Sequence, residues 1–581
     1  GVGGLLLPAW SPGVLTSGIY RYQEMIARSF PAGNDFLQFR RQHPPDFFRE
    51  GRNATVAVET VSGPDSGGQF LTVNGTVEDS WGDRTLGPAL TGHFGPLLLP
   101  GAIASSRVGL LGFGAGVVAR SLLLHPIATL TVVEPESAVL DAFPYFHSTA
   151  GPILEDSRIR FLRKDLRAGL GFSSDTYDLL VSGGPEAWLL RGGYLSSREF
   201  FRQCRRHLAP EGIHLHRVNL AGLTEARLAS IIGAFLDAYP DVFGFKLTPR
   251  ELLVIGTRVP LRFDLPTLKR RLSPKPVEAS LGSLGESAVA GLLGRFIGDR
   301  QALRAFTGEV ASFRDLWVPT LDLPRPIYID ADAGLLQTLD EAGLRITPYI
   351  TGVEEGDEKI LYRLAKTFIG RGAPRLAIDI AEELVRRKGI EESIWIRAQV
   401  AFQAGDREGA IELWEEILKL NPHHLDSLIS LGGYYQDFGL YNAAESYWQT
   451  LVEAFSGHAL AHYYHGKNLF YLLRDDSAVD ELQEVLELGG IRRFPATLYF
   501  LGMIAHRNAR NQDAVDYLAE FLRRSYQTRQ LTLTVAEAHL TLAEAYRRQG
   551  DEERAGEQQQ QGEALMERLL IDSPRNAGAD S

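Results

Sequence analysis

The chain of 581 residues carries 60 basic and 72 acidic side chains, for a net charge of −12, and is 44% hydrophobic and 23% charged. This is the composition of a soluble globular protein with length for about four ordinary domains, and no run of eighteen apolar residues offers a bilayer span. Residues 1–350 hold 35 acidic and 35 basic side chains and residues 351–581 hold 37 and 25; a neutral front and an acidic tail exclude nucleic acid as a partner, which calls for a basic face.

The first residues, GVGGLLLPAW, open on Gly1 rather than Met. The natural protein is therefore expected to extend upstream, where a targeting or membrane segment would lie. The expected setting is the bacterial cytoplasm, or a membrane reached through that upstream segment, with the covered stretch itself soluble. One cysteine, Cys204, excludes an internal disulfide framework and a cysteine-rich metal site. Its place in FFRQCRRHL, at helical spacing, predicts a packed thiol.

Within an N-terminal region, residues 1–100, ATVAVET and QFLTVNGTVED read as a small β-hairpin unit. Residues 101–258 then alternate strand and helix patterns. RVGLLGF, TLTVVE, IRFLRKD, YDLLVSG and GIHLHRV read as strands, and VFGFKLTPRELLVIGTR reads as a hairpin turning at Thr248 to Glu251. Five crossover strands and a hairpin make a seven-stranded Rossmann-like α/β domain of the class I methyltransferase type. Residues 259–350 form a connector of Pro-rich turns and short helices.

The last part repeats. Ala377, Ala410, Ala444, Ala478, Ala514 and Ala555 are spaced 33, 34, 34, 36 and 41 residues apart, the period of stacked helical pairs. In LDSLISLGGYYQDFGLYNAAESYWQTLVEAF, residues Leu431, Gly432, Tyr435, Ala444 and Trp448 resemble the small and large packing positions of the tetratricopeptide repeat. Gly466, Leu501 with Gly502, Leu542 with Tyr546, and Pro422 keep parts of the pattern. Residues 351–572 are thus expected to be an all-α solenoid of about six repeats, with a Gln-rich capping helix and a frayed tail at 573–581. Such a surface recruits a protein partner.

Chemistry concentrates at the strand ends of the α/β domain. LLGFGAGVVA sets Gly112, Gly114 and Gly116 between a strand and a helix, where bare backbone can approach a ligand. Position 117 is Val, so the loop is G-x-G-x-G, the spacing of sites for S-adenosylmethionine-like nucleosides. The next strand ends in VVEPE, where Glu134 can accept two ribose hydroxyls. The third ends in RKDL, where Asp165 can accept from an adenine amino group. Three successive strand ends supplying suitable groups favour a nucleoside pocket over solvated strand ends.

The ordered series REGRNATVAV, LTVNGTVEDS, GFGAG, VVEPE, RKDL, YDLLVSGGPEAW and YLSSREFFRQCRRHLAPEGI resembles the spermidine synthase family of polyamine aminopropyltransferases, in the branch fused to membrane or repeat segments. The resemblance covers roughly residues 7–258. It implies a co-substrate, decarboxylated S-adenosylmethionine or S-adenosylmethionine, a polyamine or other amine as acceptor, and no metal. Aligned through Trp188, Glu186 takes the place of the family's general base; the alternative is a solvent-facing loop acid. Glu78 and Asp83 are the acids expected to bind the amine, with Asp79 beside them.

Several positions depart from the family. Its glycine-loop aspartate is here Ala115, the first aspartate of its D-S-S-D-P pattern is Gly183, and the tyrosine and glutamate after the hairpin fall on Gly87 and Ala89. The amine-holding groups are mostly gone while the nucleoside-holding ones remain. Two functions therefore stand side by side: a nucleoside-dependent transferase, with aminopropyl transfer the family default, and a degenerate synthase-like scaffold or sensor working through its solenoid. A plain methyltransferase comes third, and self-association stays open. His214 and His216, on one strand face without a third ligand, read as a packed or hydrogen-bonded pair.

Overall fold

The computed structural model describes residues 11–18, 30, 33–61, 68–82, 85–146, 150–171, 175–183, 193–220, 223–283, 289–315, 344–528 and 532–572. They fall into two compact units, 1–389 and 390–581. In the first, the helices Pro12–Leu15 and Gly33–Gln42 precede a four-stranded antiparallel sheet in the order β1-β2-β3-β4: Phe47–Glu50, Thr55–Val61, Gly68–Val73 and Thr76–Gly82. Val73 pairs with Thr76 across Asn74-Gly75, both at positive φ (51° and 73°). This two-residue Asn-Gly connection is the tight turn whose twist matches its strands. Val56, Val58 and Leu71 are fully buried on one side of this sheet.

The second sheet has eight strands, ordered β13-β10-β11-β9-β8-β5-β6-β7. Its parallel part comprises β5 (Arg107–Leu111), β6 (Thr129–Val133), β7 (Ile159–Leu162), β8 (Tyr177–Gly183) and β9 (Leu208–Asn219). These strands read as continuous apolar runs because helices cover both faces; Val108, Leu130, Leu179, Leu180 and Leu215 are wholly buried. Strands β10 (Asp241–Thr248) and β11 (Glu251–Thr257) form the expected hairpin, and β11 pairs antiparallel with β9. The strand order is Rossmann-like of the methyltransferase type. Helix α1 (Leu86–Leu98) is buried along nearly its whole length, and α2 (Val117–Leu123) follows β5.

To the seven strands marked by the sequence the connector adds an eighth, β13 (Phe296–Asp299), antiparallel to β10. Two further short strands, β12 (Phe263–Asp264) and β14 (Ile350–Thr351), pair with each other. Phe263, Phe296 and Tyr349 pack their rings against Phe243 at 4.9–6.4 Å. Within residues 259–350 the described segments thus close the β10 edge with a shared aromatic core, a role that short Pro-rich runs do not announce.

A helical hairpin, α3 (Glu358–Gly370) and α4 (Pro374–Arg386), also belongs to the first unit. It is tied in by Lys269 to Asp357 at 2.5 Å and by the buried Asp379, which accepts from the amides of Ile346 and Thr347.

The second unit is five further helical hairpins: α5/α6 (Ile390–Gln403, Arg407–Leu420), α7/α8 (Leu425–Asp437, Tyr441–Ala454), α9/α10 (Ala459–Tyr471, Asp475–Glu487), α11/α12 (Ala496–Arg507, Asn511–Thr528) and α13/α14 (Leu533–Gln549, Glu552–Asp572). All six periodic alanines are fully buried. Facing them are glycines that leave no room for a Cβ: one at Gly432 would stand 2.7 Å from Trp448, one at Gly466 2.8 Å from Leu482, and one at Gly502 2.6 Å from Leu518. Small residues let the two helices of each pair touch, and the large ones fill the gap. Residues 573–581 lie outside the described residues. No described helix is long and apolar enough to cross a membrane.

Candidate functional site

The carboxyl ends of β5, β6 and β8 make the edge where α/β sheets take ligands. After β5 the chain turns through Gly112, Gly114 and Gly116, at φ of 93°, 57° and 81°. Side chains with a Cβ rarely adopt these angles, so the three glycines are what this loop path requires. A Cβ at Gly112 would meet nothing within 4 Å, so the backbone there borders open space.

Glu134, directly after β6, reaches this loop. Its Oε2 accepts from the Phe113 amide at 2.9 Å and its Oε1 from the Glu136 amide at 2.9 Å. The side chain is buried, and burial pushes its pKa up, against the pull of those two amides. Each carboxylate oxygen has accepted one bond and retains acceptor capacity, which is what two ribose hydroxyls need. The glycine loop and Glu134 are therefore brought together by a direct bond.

Asp165, after β7, is placed differently. It is exposed, its Oδ1 accepts from the amides of Arg167 and Ala168 at 3.0 Å, and its Oδ2 accepts from the Tyr194 hydroxyl at 3.0 Å. It caps the short helix Leu166–Gly171, and among the described residues no hydrogen bond joins it to the loop or to Glu134. An adenine amino group would share Oδ2 with Tyr194. Glu78 is half-buried on β4. Glu186 and Asp83 lie outside the described residues.

Sequence reasoning underweighted the residue beside Glu78. Asp79 is 8% exposed, and its Oδ2 accepts from the Ala115 amide at 3.2 Å. Two residues on, and so on the same face of β4, the Trp81 indole N–H donates to the Ala115 carbonyl at 2.8 Å. One strand of the N-terminal sheet thus grips both backbone groups of Ala115 in the glycine loop. Burial is the main reason the Asp79 carboxyl rises to about 6, with Arg217 and two amides opposing the rise. The carboxylate beside the Ala115 amide comes from β4 rather than from the loop itself. The D-x-W alternation at 79–81 is the signal for it.

Two other vacated positions are also covered. The Arg217 Nη1 donates to the Glu251 Oε1 at 2.5 Å, with 21% and 15% of the two side chains exposed. A Cβ at Gly183 would lie 3.5 Å from the Arg217 Nε, and one at Gly87 only 1.7 Å from the Glu251 Oε2. Burial opposes the Arg217 charge, but Glu251, Asp79 and Glu78 together hold its pKa above the ordinary value.

His214 and His216 are enclosed in the sheet. Ser182 Oγ lies 2.8 Å from His214 Nε2 and 2.8 Å from His216 Nδ1, and His214 Nδ1 is 2.7 Å from the Tyr239 hydroxyl. Burial pushes both imidazoles far down, so they are neutral and serve packing. Cys204 is fully buried and burial raises its thiol, which removes it as a nucleophile. Among the described residues no group of three or more His, Cys, Asp or Glu side chains is arranged to hold a metal ion.

Strand order, glycine loop and edge carboxylate define a spermidine-synthase-like α/β domain, and the chain continues into a tetratricopeptide-repeat region. Comparison with known proteins gives the particulars. The tetratricopeptide repeat family matches residues 397–459. Polyamine aminopropyltransferase 2 of Streptomyces coelicolor is 30% identical over 147 residues, 24% of this chain and 24% of that protein. The polyamine aminopropyltransferase of Korarchaeum cryptofilum is 23% identical over 185 residues, 29% of this chain and 55% of that protein. The chain thus spans between a quarter and about half of these relatives' lengths. A probable spermidine synthase from Corynebacterium glutamicum, in its crystal structure, is 17% identical with a TM-score of 0.35, over 48% of this chain and 100% of that one.

Proposed function

We propose that the α/β domain binds a nucleoside of the S-adenosylmethionine class at the glycine loop and Glu134, and that the solenoid recruits a protein partner. The observation that carries the reading is the Phe113 amide to Glu134 Oε2 bond, which sets a buried carboxylate with spare acceptor capacity against a loop of three positive-φ glycines, of which Gly112 borders open space. Glu134 holds the ribose, the loop admits the nucleoside's backbone-facing edge, and Asp165 together with Tyr194 borders the base. Decarboxylated S-adenosylmethionine, the co-substrate of aminopropyl transfer, supplies an activated carbon next to sulfonium; this chain's residues bind and orient it.

A second reading, aminopropyl transfer to an amine, is favoured by Asp79. Its carboxylate sits at the Ala115 amide, where an acid would hold an amine, and Glu186 would then serve as the base with Glu78 and Asp83 lining the acceptor side.

The test is thermal melting of the full chain with S-adenosylmethionine, its decarboxylated form and methylthioadenosine in turn. A ligand that binds the folded form alone raises the midpoint. A rise that Glu134→Gln removes supports the nucleoside reading, and no rise with any of the three overturns it. Product formed from the decarboxylated form and putrescine, and lost in Glu186→Gln, would establish transfer.

A further inference from the structure

We infer that Arg217 is a built-in cation occupying the acceptor side of the nucleoside edge, so that this domain excludes free diamines. The inference deepens the proposed function and rests on the same edge being the ligand edge. Arg217 projects from β9 beside the end of β8, over Gly183, where the missing side chain leaves its Nε room at 3.5 Å from an ideal Cβ. Glu251, at the start of β11, clamps the guanidinium and is itself held by the Thr248 hydroxyl at 3.1 Å. Its other oxygen fills the volume that any side chain at Gly87 would need, because a Cβ there would overlap it at 1.7 Å. Two glycines at the ligand edge and one ion pair are therefore packed together: a residue larger than Gly at 87 makes the Glu251 carboxylate shift, and loss of Glu251 leaves Arg217 without that partner.

The charge balance gives the consequence. A desolvated cation is tolerated only among carboxylates, and Arg217 already draws on Glu251, Asp79 and Glu78. A diamine entering the same acids would compete with a covalently attached guanidinium and be repelled by it. Intramolecular tethering gives the resident group an effective concentration that a free competitor must exceed to displace it. Arg217 is accordingly a specificity-determining residue: it leaves the nucleoside side accessible and fills the amine side.

The test compares the full-length wild type with Arg217→Ala and Arg217→Lys in thermal melting against putrescine and methylguanidinium at millimolar concentration, with tetramethylammonium as a cation that cannot donate hydrogen bonds. Wild type and Arg217→Lys are expected to show no shift with any of them. Arg217→Ala is expected to melt lower, and to regain a few degrees with putrescine or methylguanidinium but not with tetramethylammonium. A wild type stabilised by putrescine as strongly as Arg217→Ala overturns the inference, and so does an Arg217→Ala variant indifferent to both donor cations. Should Arg217→Ala not fold, Arg217→Gln, which keeps the stem and removes the cation, carries the same test: a rise in midpoint with putrescine or methylguanidinium is expected, and indifference to both overturns the inference. Nucleoside-induced shifts measured on the same samples separate the two readings. Cation rescue without any nucleoside response removes the proposed function and keeps Arg217 as the occupant, whereas nucleoside response without cation rescue does the reverse.

Discussion

The solenoid and the carboxyl edge of the α/β sheet are built by opposite rules. In residues 390–581 the apolar packing repeats: an alanine is fully buried in every second helix, and in three of the hairpins a glycine of the first helix lies under a large side chain of the second, as Gly432 lies under Trp448. At the sheet edge the distinguishing contacts are polar and do not repeat, such as Asp79 on the Ala115 amide, Glu134 on the Phe113 amide and Arg217 on Glu251. Repeated apolar packing makes a stable support that survives variation in any one unit. A set of buried polar groups that satisfy one another is specific but intolerant, since removing one strands its partner.

This contrast is breakable, starting with the largest effect. Trp448 is fully buried and stacks on Tyr464 at 5.1 Å. Trp448→Ala should cost the 390–581 unit about 3–5 kcal/mol, seen as earlier denaturant unfolding of that unit by hydrogen exchange, with nucleoside binding by the other unit unchanged. A loss of nucleoside binding would show that the two are not separate in function. Glu251→Ala should cost the first unit about 3 kcal/mol, because it strands a buried guanidinium; an effect below about 1 kcal/mol would mean that water replaces Glu251 freely.

The two regions should also differ with pH. The Asp79 carboxyl lies at about 6 in the fold against 3.8 ordinarily. Between those values the folded chain keeps a proton that the unfolded chain has released, so stability from this group falls as pH rises from about 4 to about 6 and is level above. The fall is on the order of 3 kcal/mol, and Asp79→Asn should abolish it. In the solenoid, burial lowers the His465 pKa, but its bond to Glu481 at 3.0 Å and that carboxylate's charge raise it further than burial lowers it. Glu481 is held low in turn, burial notwithstanding, by its bonds from His465 and His462. The His465 contribution is complete below its ordinary value of 6.5 and is lost as pH rises through the higher folded value; that of Glu481 is present above 4.5 and lost as pH falls. Between 4.5 and 6.5 the solenoid pair is thus at full strength while the sheet edge weakens, a difference that unit-resolved hydrogen exchange at two pH values would read.

The smallest effect is local. The Thr224 hydroxyl accepts from the Arg227 amide at 3.3 Å and caps the helix Glu225–Ala238. Thr224→Ala should cost about 1 kcal/mol in thermal unfolding and leave ligand binding intact.

The same contrast explains what could be read from the residues alone. The solenoid was legible because its period writes the same small and large residues again and again, so Ala444, Gly432 and Trp448 announce their packing without knowledge of the fold. The parallel strands were legible as apolar runs, and the glycine loop with Glu134 by its spacing after β5 and β6. The Arg217 and Glu251 pair was not, since it joins the ends of two strands 34 positions apart and no local pattern marks either residue. Nor was Asp79, which sits among other acids and is distinguished only by the burial that its contact with the loop creates. The aromatic closure of the β10 edge by Phe263, Phe296 and Tyr349 was hidden for the same reason: its rings come from segments with no shared periodicity.

The most direct measurement is calorimetric titration of methylthioadenosine, which carries adenine, ribose and the sulfur but no amine, into the full chain and into Glu134→Gln. Saturable one-site binding to the wild type, weakened at least tenfold in the variant, is the predicted result. Heats indistinguishable from dilution in the wild type, or equal affinity in both, would contradict a nucleoside held by Glu134 against the glycine loop.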